Sequence, residues 1–270
     1  MTFIRRVLIV AAAIPAVGCF EATTVIKLKA DGSGTIQQRL LLTDAAMDQL
    51  RAFAILGGGD AANADPTSEA QARSLAETLG PGVSYVSSAP VKTATAQGRE
   101  SVYAFADITK IHVSEQPRLP TGPISPAGGS NVGEVTFTLT RQPDGNVVLR
   151  MQVPRPDLLP IPTAGPNGDV TPPSAQQIEM LKALLSGAHL AVTIEPEGQL
   201  VQTSSSFVDG NRVTLVEFDV NTIASDPGLV TKLQSAKTPD EIKAAINSVP
   251  GLKLPLDPEI SITFTPATPR

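Results

Sequence analysis

Apolar and polar positions alternate along most of this chain, and short Gly-containing turns break the alternation. Thr23 to Ala30 alternates loosely, with Val25, Lys27 and Lys29 against Thr24, Ile26 and Leu28. It runs into Asp31-Gly32-Ser33-Gly34, and a second periodic run follows from Thr35 to Leu42. Gly tolerates positive φ and Asp bonds to its own turn, so this pattern predicts a hairpin. The same device recurs three times. Val135–Arg141 and Val147–Val153 flank Pro143-Asp144-Gly145-Asn146, and Leu190–Glu195 and Leu200–Ser205 flank Pro196-Glu197-Gly198-Gln199. Ser206–Val208 and Arg212–Val220 flank Asp209-Gly210-Asn211. Val83–Val91 and Ser101–Ile108 are expected to pair across Lys92–Gly98, and Ile260–Thr265 is a short closing strand rich in β-branched residues.

Helical spacing takes over where caps announce it. Thr43 or Asp44 opens a segment with Met47, Leu50, Phe53 and Ala54, ended by Gly57-Gly58-Gly59. Ser68 with Gln71 resembles a capping box ahead of Leu75 and Leu79, stopped by Gly80-Pro81. Ser174 with Gln177 opens a third helix carrying Ile178, Leu181, Leu184 and Leu185. Thr238, Pro239 and Glu241 fit N-cap, first-turn proline and N3 carboxylate, with Ile242, Ala245, Ile246 and Val249 behind them.

Together these elements predict an α+β fold: an antiparallel sheet built from hairpins, helices packed on one face, and Pro/Gly-rich insertions. Pro117–Asn131 and Pro154–Pro173 lack periodicity and are long for connections inside one domain. The expected organisation is a leader over 1–18, the N-terminal part of the body over 19–116, insertions flanking a hairpin over 117–173, and the C-terminal part over 174–270.

The first nineteen residues place the protein. Arg5 and Arg6 precede an apolar run from Val7 to Val17, about half the roughly 20 residues that a membrane-crossing helix needs. It reads as the hydrophobic region of a secretory signal and ends in Ala16-Val17-Gly18-Cys19. That ending resembles the bacterial lipobox, in which the Cys thiol receives a diacylglycerol and the chain is cut between Gly18 and Cys19. Ala16 and Gly18 supply the small residues that the peptidase requires. Cys19 is the sole cysteine of 270 residues, so its acylation leaves no thiol for a disulfide, a thiolate metal site or a nucleophile. Phe20 follows, not Asp, which resembles the pattern of lipoproteins that are not retained in the inner membrane; the expectation is an extracytoplasmic body lipid-anchored to a bacterial membrane, with the outer membrane or cell surface among its destinations.

Charge sharpens this picture. The full chain carries 21 basic and 26 acidic residues, and loss of Arg5 and Arg6 leaves 19 basic ones and a formal charge near −7. Such a body is repelled by anionic headgroups and by nucleic acid, so attachment falls to the acyl chains, at about 0.8 kcal/mol per buried CH₂.

Candidate chemistry is sparse. His112 and His189 are the two histidines, and neither has a partner at a metal-ligand spacing. Asp107 and His112 are expected on opposite faces of a strand as solvated edge residues, and His189 at a strand boundary. No HExxH, GxSxG, GxGxxG or Walker loop occurs. Asp31-Gly32-Ser33 lacks the ligand spacing and closing Glu of a calcium loop, so it is read as a turn. Glu195, Glu197 and Asp107 are read as surface acids, since acid catalysis needs a carboxyl buried against apolar walls, and the chain has no Trp. Neither a cofactor nor a metal is expected. Binding is the remaining role, with Leu181, Leu184 and Leu185 as the candidate lining of an apolar groove for an acyl chain or a hydrophobic partner.

The lipobox, the strand entering Asp31-Gly32-Ser33-Gly34, and the late segments Glu197–Val201 and Asp209–Leu215 resemble LppM-like bacterial lipoprotein domains. The likeness covers residues 20–50 and 185–265; the Trp often found in the last strand is absent, and 117–173 has no counterpart. This resemblance implies an α+β extracytoplasmic module with a role in binding envelope lipids, and it brings no catalytic residues. The resulting expectation is a non-enzymatic envelope protein, anchored in the membrane by its acyl chains, that binds a lipid or a protein partner. Its alternatives are an assembly component of an envelope complex and an envelope hydrolase.

Overall fold

In a computed structural model of the chain, the structure describes residues 20–48, 65–112, 135–153, 187–224, 238–254 and 256–267. Strand β1 (Phe20–Leu28) and strand β2 (Gly34–Thr43) form the first hairpin, in register from Phe20 opposite Leu42 to Leu28 opposite Gly34. Its turn closes on Asp31, whose carboxylate accepts from the Ser33 N–H at 3.0 Å and the Ser33 hydroxyl at 2.7 Å. Residues 44–48 then turn helical, with the Thr43 hydroxyl accepting from the Ala46 N–H at 3.2 Å as the predicted cap.

Helix α1 (Glu69–Thr78) starts at Ser68, whose side chain accepts from the Gln71 N–H. Strands β3 (Ser84–Lys92) and β4 (Ala96–Phe105) form the next predicted hairpin, and β4 pairs along the whole of β2. A 3-10 turn (Ile108–Lys110) follows, then β5 (Thr136–Arg141) and β6 (Val147–Gln152), hairpin partners across Gly145. The chain continues through β7 (His189–Pro196), β8 (Gly198–Thr203), β9 (Val208–Asp209) and β10 (Arg212–Asp219). It ends in helix α2 (Val220–Ala224), helix α3 (Pro239–Asn247), β11 (Leu252–Lys253) and β12 (Glu259–Pro266). The capping box of α3 is complete: the Glu241 N–H donates to the Thr238 hydroxyl at 3.2 Å, and the Thr238 N–H donates to the Glu241 carboxylate at 3.1 Å.

These strands make two sheets. The larger runs β11-β10-β7-β1-β2-β4-β3, with β9 also on β10, and the smaller runs β5-β6-β12-β8. Three expectations need correction. The larger sheet is mixed, because β1 lies parallel to β7 in register from Glu21 opposite His189 to Leu28 opposite Pro196. The predicted hairpin around Pro196-Glu197-Gly198-Gln199 does not form: β7 belongs to the larger sheet and β8 to the smaller, so this segment carries the chain between sheets. The strand ending near Ile108 stops at Phe105 instead, because the Asp107 side chain caps the 3-10 turn, accepting from the Thr109 N–H at 3.0 Å. Asp107 and His112 therefore do not share a strand.

One apolar cluster joins the two sheets. Ile26, Leu28, Ile36 and Phe105 of the larger meet Phe137, Leu149, Met151, Ile262 and Phe264 of the smaller. The alternation that predicted strands thus also assigned their inward faces. Tyr103 is wholly buried there, and its hydroxyl donates to the Ala72 carbonyl of α1 at 2.9 Å, so the burial leaves no orphan donor. A second cluster of Phe20, Leu42, Ala46, Met47 and Ala188 closes the end of the larger sheet where β1 begins. The described chain is mostly sheet with few helices. Helix α1 packs along β3 and α3 along β11, outermost strands on opposite margins of the larger sheet. The helix expected around Ile178 lies outside the described residues.

Candidate functional site

The closest approach to a chemical constellation lies across β7, β10 and β11. His189 opens β7, Asp219 stands opposite it on β10, and Glu217 pairs with Lys253 of β11. Glu217 accepts from the Lys253 ammonium at 2.7 Å, and its other oxygen stands 4.0 Å from His189 Nε2. Burial pushes the Asp219 carboxyl up, but the N–H and hydroxyl of Thr222, at 3.1 and 2.8 Å, and the charge of His189 outweigh it. The net result lies below the ordinary carboxylate value. In this row the Thr222 hydroxyl is directed to Asp219. The row ties three strands and the start of α2 together at the sheet's end. Sequence patterning did not reveal it, because strand alternation places Glu217 and Asp219 on one face but does not say which strand lies beside them.

A second feature is a pocket between the β8–β9 connection and the segment after α3, lined by Ser204, Ser205, Ser206, Asn247 and Asp257 among others. Its volume is about 10 Å³, room for one water molecule. Ser204 Oγ accepts from the Ser261 N–H at 2.9 Å, and Ser205 Oγ from the Phe207 N–H at 3.2 Å, so both hydroxyls hold backbone in place. Neither histidine lines it. Enclosing an acyl chain requires several hundred Å³.

The remaining sequence candidates have separate structural places. The two bonds from Ser33 hold the Asp31 carboxyl below its usual range, side-chain bond first, and Asp107 is lowered in the same way by Thr109. Glu195 accepts from Arg212 at 3.0 Å, Glu197 is exposed at the passage between sheets, and the His112 N–H donates to the Leu79 carbonyl at 2.8 Å. Glu195, Glu197 and Asp107 are not brought into one cluster among these contacts. Among the described residues, no group of three or more His, Cys, Asp or Glu could hold a metal ion. Gly18, Cys19 and the leucines Leu181, Leu184 and Leu185 lie outside the described residues. No described helix is long and apolar enough to cross a membrane.

Among the described residues, three large apolar side chains are exposed: Val208 on the short strand β9, and Val86 and Val201, which lie at strand irregularities. Val86, 55% exposed, lies at the bulge in β3, and Val201, 56% exposed, at the bulge opposite Thr263 and Phe264 in β8. Both are outermost strands, where a bulge turns unpaired backbone away from a second sheet.

No family model and no curated protein matches the chain. Among solved structures, the folded domain of the Mycobacterium tuberculosis LppM protein, determined by NMR, aligns over 93% of this chain and 92% of its own length. The identity is 11% and the TM-score 0.31, a level at which the likeness fixes neither fold nor function.

Proposed function

We propose that this chain is a lipid-anchored extracytoplasmic envelope protein that works by binding a protein partner at its surface, without catalysis. The observation that carries the reading is Ala16-Val17-Gly18-Cys19 at the end of a basic-then-apolar leader, with Cys19 the sole cysteine. Support for a surface role is that, among the described residues, the Ser204–Asp257 pocket is too small for an acyl chain. Intact mass after native expression tests the anchor. Loss of residues 1–18 with gain of a diacylglyceryl group is expected, and Cys19→Ala should release the protein from the membrane. Extraction under native conditions tests the role: a stoichiometric protein supports it. Co-purifying phospholipid would favour instead the ligand reading attached to Leu181, Leu184 and Leu185, and turnover of an envelope substrate would sink the non-enzymatic claim.

A further inference from the structure

We infer that the end of the larger sheet at which β1 begins rests on the headgroups of the bilayer holding Cys19; this deepens the anchor reading above and depends on it. Phe20 follows Cys19 directly, yet it is already the first residue of β1, paired with Leu42 and only 6% exposed. Consecutive Cα atoms lie about 3.8 Å apart, so no spacer separates the acylated residue from the folded body.

The attachment point is also central. In the order β11-β10-β7-β1-β2-β4-β3, three strands lie on each side of β1. With strands about 4.8 Å apart, the end of β2 and the start of β7 are held about 5 Å from the anchor line, and the end of β10 about 10 Å, whichever way the body tilts. Thr43, His189 and Asp219 mark those ends. The apolar cluster of Phe20, Leu42, Ala46 and Met47 closes this end internally, leaving Asp44, Ala45 and Asp48 exposed at its rim. Exposed Lys92 stands at the same end, in the row that runs through Gln97 and Leu42 to Phe20, so this end offers charge of both signs and fits zwitterionic headgroups. Lys29 is exposed just beyond the other end of β1, which over nine residues is about 26 Å away.

The test uses acylated protein in phosphatidylcholine vesicles, with a nitroxide at Ala45→Cys or Lys29→Cys. Acylation consumes Cys19, so each variant carries one free thiol. The Ala45 label is expected to lose contact with a water-soluble nickel relaxant while the Lys29 label keeps it. A flexible Gly/Ser segment inserted between Cys19 and Phe20 should restore that contact at Ala45 with the acyl mass unchanged. Equal relaxation at both sites, or protection at Ala45 that survives the insertion, would overturn the inference while the acyl mass leaves the anchor standing. Absence of acyl mass would overturn both.

Discussion

Pro143-Asp144-Gly145-Asn146 and Pro196-Glu197-Gly198-Gln199 share an outline of Pro, acid, Gly and amide, flanked by apolar runs on both sides. The first closes on itself. The Gln142 N–H donates to the Asn146 carbonyl at 2.8 Å, the Asp144 carboxylate accepts from the Asn146 N–H at 2.9 Å, and Gly145 sits at φ +87° with open space where a Cβ would stand. The second is bonded outward. The Glu197 N–H donates to Leu28 of β1 at 2.7 Å, and the Glu197 carbonyl accepts from Ala267 beyond β12 at 3.3 Å. Asn211 bridges the passage, its amide donating to the Pro196 carbonyl at 2.5 Å and its oxygen accepting from the Leu200 N–H at 2.8 Å. A turn's composition sets its tolerance for bending. Whether the flanking strands pair with each other depends on which other backbone groups compete for the same bonds.

The sharpest way to break this comparison is to give both glycines a methyl group. At Gly198 a Cβ would overlap the Thr265 carbonyl, a backbone atom of β12 that cannot swing aside. Gly198→Ala is expected to cost about 4 kcal/mol or to prevent folding, measured by denaturant unfolding. Asn211→Ala comes next: it leaves the Leu200 N–H and the Pro196 carbonyl without these partners, and it should cost about 2 kcal/mol in the same assay. Gly145→Ala meets no neighbour and forces only a left-handed backbone on an L-residue, so it should cost about 1 kcal/mol. If Gly145→Ala proves the more damaging of the two glycine variants, the distinction between closed and outward-bonded turns fails.

The smallest expected effect is one of acid. The β1–β2 turn, closed like the one at Gly145, rests on the Asp31 carboxylate, and the corner rests on the neutral amide of Asn211. The bonds from Ser33 hold Asp31 below the pKa it has in the unfolded chain, side-chain bond first, so its contribution is complete at neutral pH. That contribution is lost as the pH falls through the lowered value. The protection factor of the Ser33 amide, corrected for the intrinsic pH dependence of exchange, should therefore fall at pH below the ordinary carboxylate range while that of Leu200 stays level. Parallel acid responses at the two sites would show that the corner also depends on a carboxylate.

Elements built from neighbours in sequence were legible in advance. The turns at Asp31, Asp144 and Gly210, and the caps at Thr43, Ser68 and Thr238, each depend on a few consecutive residues, and each recurs in the structure. What escaped was set at long range. Nothing near Thr24 or Thr193 indicates that their strands lie side by side, nor that β12 sits between β6 and β8 instead of closing the fold at its margin. The row from His189 through Glu217 to Lys253 is hidden for the same reason, since it exists only once β7, β10 and β11 are aligned. The lipidation and groove candidates, Cys19 and Leu181, Leu184 and Leu185, fall on segments outside the described residues.

The parallel partnership of β1 and β7 also dictates an order of assembly. Thr24 and Thr193 touch across 169 residues of sequence, whereas β2 follows β1 after a short turn. The first hairpin can zip as soon as the chain is free as far as Thr43. The other flank of β1, destined for the middle of the finished sheet, must wait until the chain is available as far as Pro196. Until then it is an exposed edge whose closure carries a long-loop entropy cost. A chain stalled short of His189 would thus offer its most central strand to any passing β-structure, and premature arrest in this window is the event against which a cell would have to guard.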